Sequence, residues 1–576
     1  MAEDNKQPDG GTIQESDIYA PPEEGQEYAL SVYRPIDLES AETAPETGDY
    51  PDLGTKGNFR IADFPRVPKV RHIVGPSAIM LGASLGSGET MFWPHLVAQN
   101  TWSLYWAFWV GVLTQFLINT ELQRWTIATG ESIFSAYHRL HSFWPWFFLV
   151  AGFLHVGWPG WGAGAAQVFA AAVLGNQHAW ILPGLALFVI IWLSYQIHPV
   201  MYNIVEKFNV AAMLVAVAAG IILALVGGAL GQLANVPAGA VSFGSLPPEM
   251  PIAEFLGGLA YAGAGGLTNL GQGVWSREKG FGMGSYQGRV KNPLIGEEPE
   301  VVEDTGFVAP ANSLNFQRWK AWWKTTQIEH FLTFVLGLLI VATIMISIST
   351  EYAGGLPKDV GAMSMWINYV QPGIRAEAGG LAGALVYIVI FLALFTTEYA
   401  ILDVFVRSAT DIINEMVGRS RGWDVGRVFW AALTLFVVWG MLIIGMRFDK
   451  PWILLVIGAA ISGFMMWPYN AITLIINTKY LPEHQQPGWG RIVGMWWAVG
   501  FFGYFSILLI ADQLVNRFGM ETFQTSVAIA GSNSGAYVLW AIFVIIQIYV
   551  MARSVQYKQR KQGTVEGSDE ARGFLA

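Results

Sequence analysis

Long apolar runs constrain this chain more than any other feature of its sequence. Stretches such as 331–348 and 537–551 are apolar on all sides, without the polar stripe that a helix keeps on the surface of a soluble protein. Hydrophobic residues make up 53% of the chain and charged residues only 13%. A soluble protein could not bury so much apolar surface, so the sequence predicts an all-α integral membrane protein.

Apolar runs of roughly 17 to 25 residues, taken as membrane spans, predict about twelve helices. The predicted spans are 74–97, 101–120, 146–174, 180–195, 208–229, 252–275, 331–348, 381–406, 428–446, 452–476, 492–510 and 536–551. We expect the first ten to form a core over 61–482 and the last two to be additional helices over 483–555.

The two ends of the chain differ from the spans. Residues 1–60 are acidic, rich in proline and glycine and without periodicity, which predicts a disordered tail, and residues 556–576 form a second tail. Lys and Arg concentrate before the first span, after the sixth span and in the C-terminal tail, whereas the loop between the fifth and sixth spans has none. Because positively charged loops stay in the cytoplasm, we expect both termini there, with the chain in the plasma (inner) membrane.

Glycines interrupt two of the predicted spans. The first contains GASLGSGETMFWP at 82–94, and the sixth contains AGAGG at 262–266. Glycine loosens the backbone, and in a membrane the freed N–H and C=O groups are tolerated only where they line a cavity. Two broken helices, five spans apart, are typical of a transporter with an inverted repeat and a site at mid-membrane. Close packing of helices through small residues is the alternative interpretation.

The first interruption contains Glu89, our first candidate for a site residue. A carboxylate inside a membrane costs at least about 2 to 3 kcal/mol, so it usually binds substrate or a proton, although it can also act as a structural clip. We expect Glu89 to face a polar central chamber. The backbone around this chamber is expected to come from Gly86, Ser87 and Gly88 in the first span and from Ala262, Gly263, Gly265 and Gly266 in the sixth.

Polar side chains of the eighth and third spans are candidates for a coupling-ion or relay site. Thr396, Thr397 and Glu398 lie in the middle of the eighth span. The two hydroxyls either complete a small-cation site with carbonyls of the first span or bond back to their own helix. His155 in the third span either shuttles protons or makes an interhelical hydrogen bond, beside a kink at Pro159.

Several classes of function lack support in the sequence. No GxxxxGK[ST] loop, HExxH motif or cysteine occurs, and no basic nucleic-acid-binding patch is present. An ATP-driven pump, a zinc enzyme and a nucleic-acid-binding protein are therefore disfavoured. We expect neither enzymatic activity nor a cofactor.

Four stretches, taken in order, resemble the Nramp family of divalent-metal transporters. GPSAIMLGASLGSGETMFW resembles the family's first helix, which reads GP…AYLDPGN, and LTQFLINTELQRWTIATGES resembles its second helix. GAGGLTNL stands where the family has GATVMPHNL, and WPYNAITLIINTKYLP where it has LPFALIPLLxxT. The resemblance covers roughly residues 74–482. It implies the LeuT-type fold, a five-plus-five inverted repeat, here followed by two C-terminal helices.

The chain departs from the family at the metal ligands. On this alignment the metal-binding Asp is Gly86 and the following Asn is Glu89. The family's Met falls on Gly266 and its His on Thr268, while Asn269 keeps its Asn. The lost sulfur is the ligand that favours manganese, iron or cadmium over hard ions. The resemblance thus implies a metal site of Glu89 and Asn269 with hydroxyls and carbonyls, suited to a hard divalent cation such as Mg²⁺ or Mn²⁺. The third helix has no acidic residue where the family routes its protons, so facilitated transport is open beside coupled transport.

A second resemblance implies a different cargo. GSGETMFWP is similar to the first helix of amino-acid transporters of the APC superfamily, and LFTTEYAILD resembles the sodium-binding Thr-Ser pair of sodium-coupled LeuT-type carriers. In that case the two glycine-rich segments bind a carboxylate, and Glu89 binds the ammonium of a zwitterion. A receptor with the loop 277–324 as its output is a third class. The sequence predicts alternating access for a small inorganic cation or a small organic solute, and leaves the oligomeric state open.

Overall fold

The computed structural model describes residues 13–36, 41–44, 58–247, 250–294, 300, 302, 305–447, 451–525 and 529–573. Twelve long helical units fill the described chain, and each predicted span coincides with one of them. Their bounds are α1, Pro76–Ser84, Leu85–Phe92 and Trp93–Asn100; α2, Tyr105–Thr129; α3a and α3b, Phe143–Val156 and Gly160–Val173; α4, Ile181–Ser194; α5, Met201–Val226; α6a and α6b, Ile252–Ala260 and Leu267–Lys279; α7, Ser313–Ala353; α8, Ala362–Arg421; α9, Val425–Gly445; α10, Pro451–Lys479; α11, Trp489–Phe518; and α12, Ser534–Lys561.

Seven of these helices within the described chain are long and apolar enough to cross a membrane, namely α5 and α7 to α12. The remaining units are short, interrupted or more polar. Helix α4 has 14 residues, and α2 contains buried polar side chains such as Asn119, Glu121 and Arg124. Large apolar side chains on α12, including Ile545 and Ile548, are exposed, as expected for a helix that faces lipid. The chain is therefore an all-α integral membrane protein.

Helices α1, α3 and α6 deviate from a regular α-helix at stretches that the sequence singled out. Helix α3 stops at Val156 and restarts at Gly160, because Pro159 cannot donate a backbone hydrogen bond. Helix α6 stops at Ala260 and restarts at Leu267, which confirms the predicted interruption at AGAGG. Helix α1 differs from the prediction, because its glycine-rich stretch stays wound as a π-helix over Leu85–Phe92. The stretch is widened, not broken.

The N-terminal segment packs on one face of the helical core. Tyr28 is fully buried, and its ring centroid lies 6.2 Å from that of Trp322 in α7. The backbone N–H of Val32 donates to the carbonyl oxygen of Lys279 at 3.1 Å. Part of the tail that the sequence predicts to be disordered over 1–60 thus packs against the core, through buried side chains such as Tyr28 and Val32. Residues 1–12, 37–40 and 45–57 of that prediction lie outside the described residues.

The basic face, defined here as the face that carries the N-terminal segment, also holds the loop after α6 and the C-terminal tail. Strand β1, Arg60–Ile61, pairs in parallel with β2, Phe307–Val308, in the loop. In the C-terminal tail, the backbone N–H of Val565 donates to the Glu483 carboxylate at 3.2 Å, and the ring of the adjacent His484 lies 4.9 Å from that of Phe316, directly after the loop. The three Lys- and Arg-rich segments therefore lie together, as the charge pattern predicts. The loop between α5 and α6 lies on the opposite face, where Ala240 accepts a hydrogen bond from the Trp109 indole.

Candidate functional site

The interruption of α6 is the most irregular backbone in the interior of the helical core. Gly263 has φ 125° and Gly266 has φ 66°, values that residues with a side chain rarely adopt. Between Ala260 and Leu267 the regular α-helical hydrogen bonds are lost, so the freed groups need other partners inside the membrane.

Gln115 of α2 supplies several of these partners. Its amide nitrogen donates to the carbonyl oxygens of Leu259, at 3.1 Å, and Ala260, at 2.7 Å. Its amide oxygen accepts from the backbone N–H of Ala264 at 3.0 Å. One side chain thus satisfies both the end of α6a and the segment that follows it. A glutamine in the middle of an apolar span is the sequence signal that could have identified this role.

His155, at the end of α3a, links the two sides of the interruption. Its Nδ1 accepts from the backbone N–H of Leu267 at 3.3 Å, and its Nε2 lies 2.8 Å from the hydroxyl of Tyr261. Tyr261 is the first residue after α6a and Leu267 begins α6b, so the imidazole connects the two ends of the interruption. The structure therefore has the interhelical hydrogen bonds that were one of the two interpretations of His155.

The π-helical stretch of α1 is stabilised by a hydroxyl of α8. Thr397 Oγ1 accepts from the backbone N–H of Gly86 at 2.9 Å and lies 3.2 Å from the carbonyl oxygen of Gly82, to which it donates. In a regular α-helix that N–H and that carbonyl would bond to each other. The threonine hydroxyl is inserted between them, which is a recognised cause of local helix distortion.

Neighbouring backbones approach α1 closely on two sides. A Cβ added at Gly88 would lie 1.4 Å from the carbonyl oxygen of Tyr261, and one added at Gly86 would lie 2.4 Å from that of Ala393. The π-helical stretch is therefore packed between the interruption of α6 and the middle of α8. Ser87 does not point to a partner helix, because its hydroxyl donates to Ala83 in its own helix at 3.1 Å.

Glu89 lies in this packed region and is 0% exposed. Among the described residues, neither of its carboxylate oxygens has a hydrogen-bond partner. The backbone N–H groups of Glu89 itself and of Gly263 lie near the carboxylate without reaching hydrogen-bonding geometry. In this conformation the Glu89 carboxylate is enclosed and shielded from water. The prediction that it faces a polar chamber is therefore wrong for this conformation.

Asn269 in α6b is occupied by other side chains. Its amide nitrogen donates to Gln115 at 3.3 Å and also to the Asn119 oxygen, and its oxygen accepts from the Tyr469 hydroxyl at 2.7 Å. Thr268 beside it is buried. Within the described chain, no three His, Asp or Glu side chains are grouped as they would be around a metal ion. The Glu89 and Asn269 pair suggested by the resemblance is therefore not assembled in this conformation.

Glu398 of α8 caps the second half of α3. Its carboxylate accepts from the backbone N–H of Gly162, in the first turn of α3b, at 2.8 Å. A negative charge at that position is favoured by the free N–H groups and the dipole of the half-helix. Thr396 bonds mainly within its own helix, to Leu392 at 2.9 Å and Ala393 at 3.0 Å, and reaches Gly82 of α1 at 3.3 Å.

The predicted site residues therefore converge in one buried region where α1, α3, α6 and α8 meet. Glu89, His155 and Thr397 are each 0% exposed, so the region is closed to both faces. Sequence reasoning missed Gln115 and Tyr261, which hold the interruption of α6. Tyr261 gave no signal, because a tyrosine within an apolar span is an ordinary residue.

Solved structures of membrane transporters resemble this fold. The Eremococcus coleocola manganese transporter, in complex with an aromatic bis-isothiourea substituted compound, superposes with a TM-score of 0.61 at 11% sequence identity, over 88% of this chain and 99% of that chain. A mutant of the same transporter gives a TM-score of 0.59 at 10% identity, over 91% and 100% of the two chains. No family model and no curated protein matches the sequence. At these identities the likeness shows the fold, which is of the LeuT type with two helices after the ten-helix core.

Proposed function

We propose that this protein is a secondary or facilitative transporter that moves a hard divalent cation, such as Mg²⁺ or Mn²⁺, by alternating access. The observation that carries the proposal is Glu89, a fully buried carboxylate without a hydrogen-bond partner among the described residues. A buried carboxylate in that situation has to take up a proton or meet a positive charge. A cargo cation supplies that charge when the region opens.

The chemistry around Glu89 favours a hard ion. The interruption of α6 offers backbone oxygens, and Thr268 and Asn269 lie in the first turn of α6b, the helix that follows it. One carboxylate with neutral oxygen ligands suits Mg²⁺ or Mn²⁺, which retain part of their hydration shell. The chain has no cysteine, and the 262–269 segment has no methionine, so that segment offers no sulfur ligand of the kind that selects soft ions. The manganese transporter that shares the fold is consistent with such a cargo.

A small organic zwitterion is the second candidate cargo. Its ammonium group would pair with Glu89, and its carboxylate would need free N–H groups from the interruption of α6. Two of those N–H groups already donate hydrogen bonds within the protein. The N–H of Ala264 donates to Gln115, and the N–H of Leu267 donates to His155. This occupancy favours the cation, although Gly263 still has its N–H close to Glu89.

Alternating access requires the buried region between α1, α3, α6 and α8 to open while the helices themselves stay folded. Gly263 and Gly266 are the residues in which the backbone can rotate, because they carry no side chain. The links that hold α6 in place are exchangeable side-chain hydrogen bonds from Gln115 and His155. We propose that α6b and α1 move relative to α3 and α8 as these links are replaced by contacts with the cargo.

Transport assays in proteoliposomes test the proposal. Purified protein is assayed for uptake of Mn²⁺, Mg²⁺ and a panel of amino acids under an imposed membrane potential. We expect uptake of a divalent cation, and we expect Glu89→Gln to reduce it at least tenfold, because the amide carries no charge. Glu351→Gln is the matched control, since Glu351 is an exposed carboxylate.

Two results would contradict the cation proposal. Uptake of an amino acid without uptake of either metal would leave the zwitterion as the cargo. Metal uptake unchanged by Glu89→Gln would remove Glu89 from the binding region. Thermal unfolding of each variant in detergent shows whether a loss of uptake reflects misfolding.

A further inference from the structure

A chain of buried hydrogen bonds runs from the interruption of α6 toward the basic face. Its members are Asn269 of α6b, Asn119 of α2, His330 and Glu329 of α7, and Ser77 of α1. Each of the five side chains is 0% exposed. These hydrogen bonds join side chains only, and none of them provides a partner for a backbone N–H or C=O group. The interruptions of the helices therefore do not explain their role.

The hydrogen-bond partners fix the direction of every link. The amide nitrogen of Asn269 donates to the Asn119 oxygen, so the Asn119 nitrogen faces His330 Nε2, at 3.2 Å. His330 Nε2 therefore accepts, and the ring proton is on Nδ1, which lies 2.8 Å from the Ser77 hydroxyl oxygen. Ser77 in turn donates to the Glu329 carboxylate. All donors thus point the same way, from Asn269 to Glu329.

We infer that His330, Ser77 and Glu329 form a proton path between the centre of the transporter and the basic face. When His330 is protonated, its Nδ1 proton passes to the Ser77 oxygen while the Ser77 proton passes to the Glu329 carboxylate. The imidazole ends neutral, Glu329 ends protonated, and the serine is again a hydroxyl. The path is reset when Glu329 loses its proton at the basic face, the hydroxyl rotates back toward Glu329, and a flip of the imidazole returns the ring proton to the side of Ser77.

Asn119 couples this path to the interruption of α6. Protonation of His330 at Nε2 makes that nitrogen a donor, so the Asn119 amide has to turn its oxygen toward the ring. The same oxygen can then no longer accept from Asn269. A proton on His330 therefore releases Asn269, which lies in α6b, directly after Gly263 and Gly266.

The outer end of the path lies beside an ion pair on the basic face. Lys279 Nζ and the Glu206 carboxylate are 2.7 Å apart, and Glu206 keeps 8% exposure. Lys279 of α6b and Glu206 and Tyr202 of α5 are the charged and titratable groups that act on Glu329. From α6b, the Gln272 amide also donates to Ser77, at 3.4 Å. Glu329 is therefore the link between the enclosed histidine and groups near water.

The surroundings of His330 keep the path narrow. The rings of Phe116 and Phe334 stack on the imidazole, with centroid distances of 5.7 Å and 4.6 Å and interplanar angles of 14° and 11°. These aromatic faces leave only the two ring nitrogens for polar contacts. Among the described residues, those contacts are Ser77 and Asn119.

The coupling of proton movement to cargo transport through this path rests on the proposed transport function. Two measurements therefore test the path and the coupling separately. The first needs no cargo. Infrared titration of the purified protein in bilayers follows the Glu329 carboxyl band, identified by its loss in Glu329→Gln. We expect the midpoint of this band to shift in His330→Gln and to stay unchanged in Ser84→Ala, whose hydroxyl bonds only to Met80 in its own helix. A Glu329 band insensitive to His330→Gln would overturn the path.

The second measurement uses Mn²⁺ as the probe. A pH dye and a metal-sensitive dye inside proteoliposomes report protons and Mn²⁺ entering under the same membrane potential. We expect Ser77→Ala to lower the number of protons per Mn²⁺ at least tenfold and Ser77→Thr to restore it, because threonine retains the hydroxyl. Mn²⁺ entry without protons in the unaltered protein would overturn the coupling and leave cation transport standing. If no probe enters at all, the proposed function fails, while the infrared titration still decides the path.

Discussion

At the scale of single residues, one hydroxyl determines the winding of a whole stretch of α1. Thr397 replaces a helical hydrogen bond by accepting from Gly86 and donating to Gly82. Without that hydroxyl, the buried N–H of Gly86 would lack a partner, and the carbonyl oxygen of Gly82 would keep only the 3.3 Å hydrogen bond from Thr396. The side chain is fully buried, so water cannot replace it without a rearrangement.

Thr397→Val tests this role, because valine has the same shape without the hydroxyl. Each buried polar group left unpaired costs about 1–3 kcal/mol, so we expect a lower unfolding temperature in detergent and reduced transport. Thr397→Ser should restore both. Thr410→Val is the matched control, since the Thr410 hydroxyl is buried and bonds only to Val406 in its own helix. Equal effects of the two valine variants would contradict the bridging role.

At the scale of helices, the centre is held by backbone contacts between α1, α6 and α8. Tyr261 and Ala393 place their carbonyl oxygens where side chains at Gly88 and Gly86 would be. The glycines therefore act here by their small size, and only Gly263 and Gly266 act by their backbone conformation. This close contact, together with the Thr397 hydroxyl, keeps α1 wound although its sequence suggests a break.

Gly88→Ala should separate α1 from α6, because its methyl group would overlap the Tyr261 carbonyl. Overpacking of this kind typically costs about 1–3 kcal/mol or more, so we expect loss of a monodisperse peak in size-exclusion chromatography or a clearly lower unfolding temperature. Gly490→Ala in α11 is the matched control, because no atom lies within 4 Å of an added Cβ there. A Gly88→Ala protein as stable as Gly490→Ala would contradict the close packing.

At the scale of the whole molecule, the three Lys- and Arg-rich segments of the chain lie on one face. The N-terminal segment, the loop after α6 and the C-terminal tail contact each other or the same helices there. Such a concentration of charge predicts that this face lies in the cytoplasm.

Cysteine labelling tests that orientation directly, because the natural chain contains no cysteine. We expect a membrane-impermeant maleimide to label Ser16→Cys and Thr564→Cys only in inverted vesicles, and Ala238→Cys only in intact cells. All three positions are exposed, and Ala238 lies in the loop between α5 and α6. The opposite labelling pattern would reverse the orientation, and labelling of all three from one side would contradict the arrangement of the faces.

The sequence predicted the positions of the helices well, but it predicted the polar contacts of the buried region only in part. Apolar runs predict the spans because lipid leaves a helix no other way to satisfy its backbone. The seventh span was predicted from 331, whereas α7 begins at Ser313, because polar residues before 331 reduce the hydropathy. Glu329 and His330 lie in that missed part. For this reason, the buried proton path had no counterpart in the sequence-based prediction.

The sequence by itself determined the membrane-embedded helical class, the positions of the spans, the interruption of α6 and the grouping of positive charge. These properties follow from local composition, since every segment that contributes to them is recognised from residues close together in the chain. Only the tertiary structure decided that α1 stays wound, that Glu89 is enclosed without a partner, and that His155, Gln115 and Thr397 satisfy distant backbone. Those properties depend on contacts between residues far apart in sequence, where the loss of water makes each unpaired polar group costly enough to select its partner.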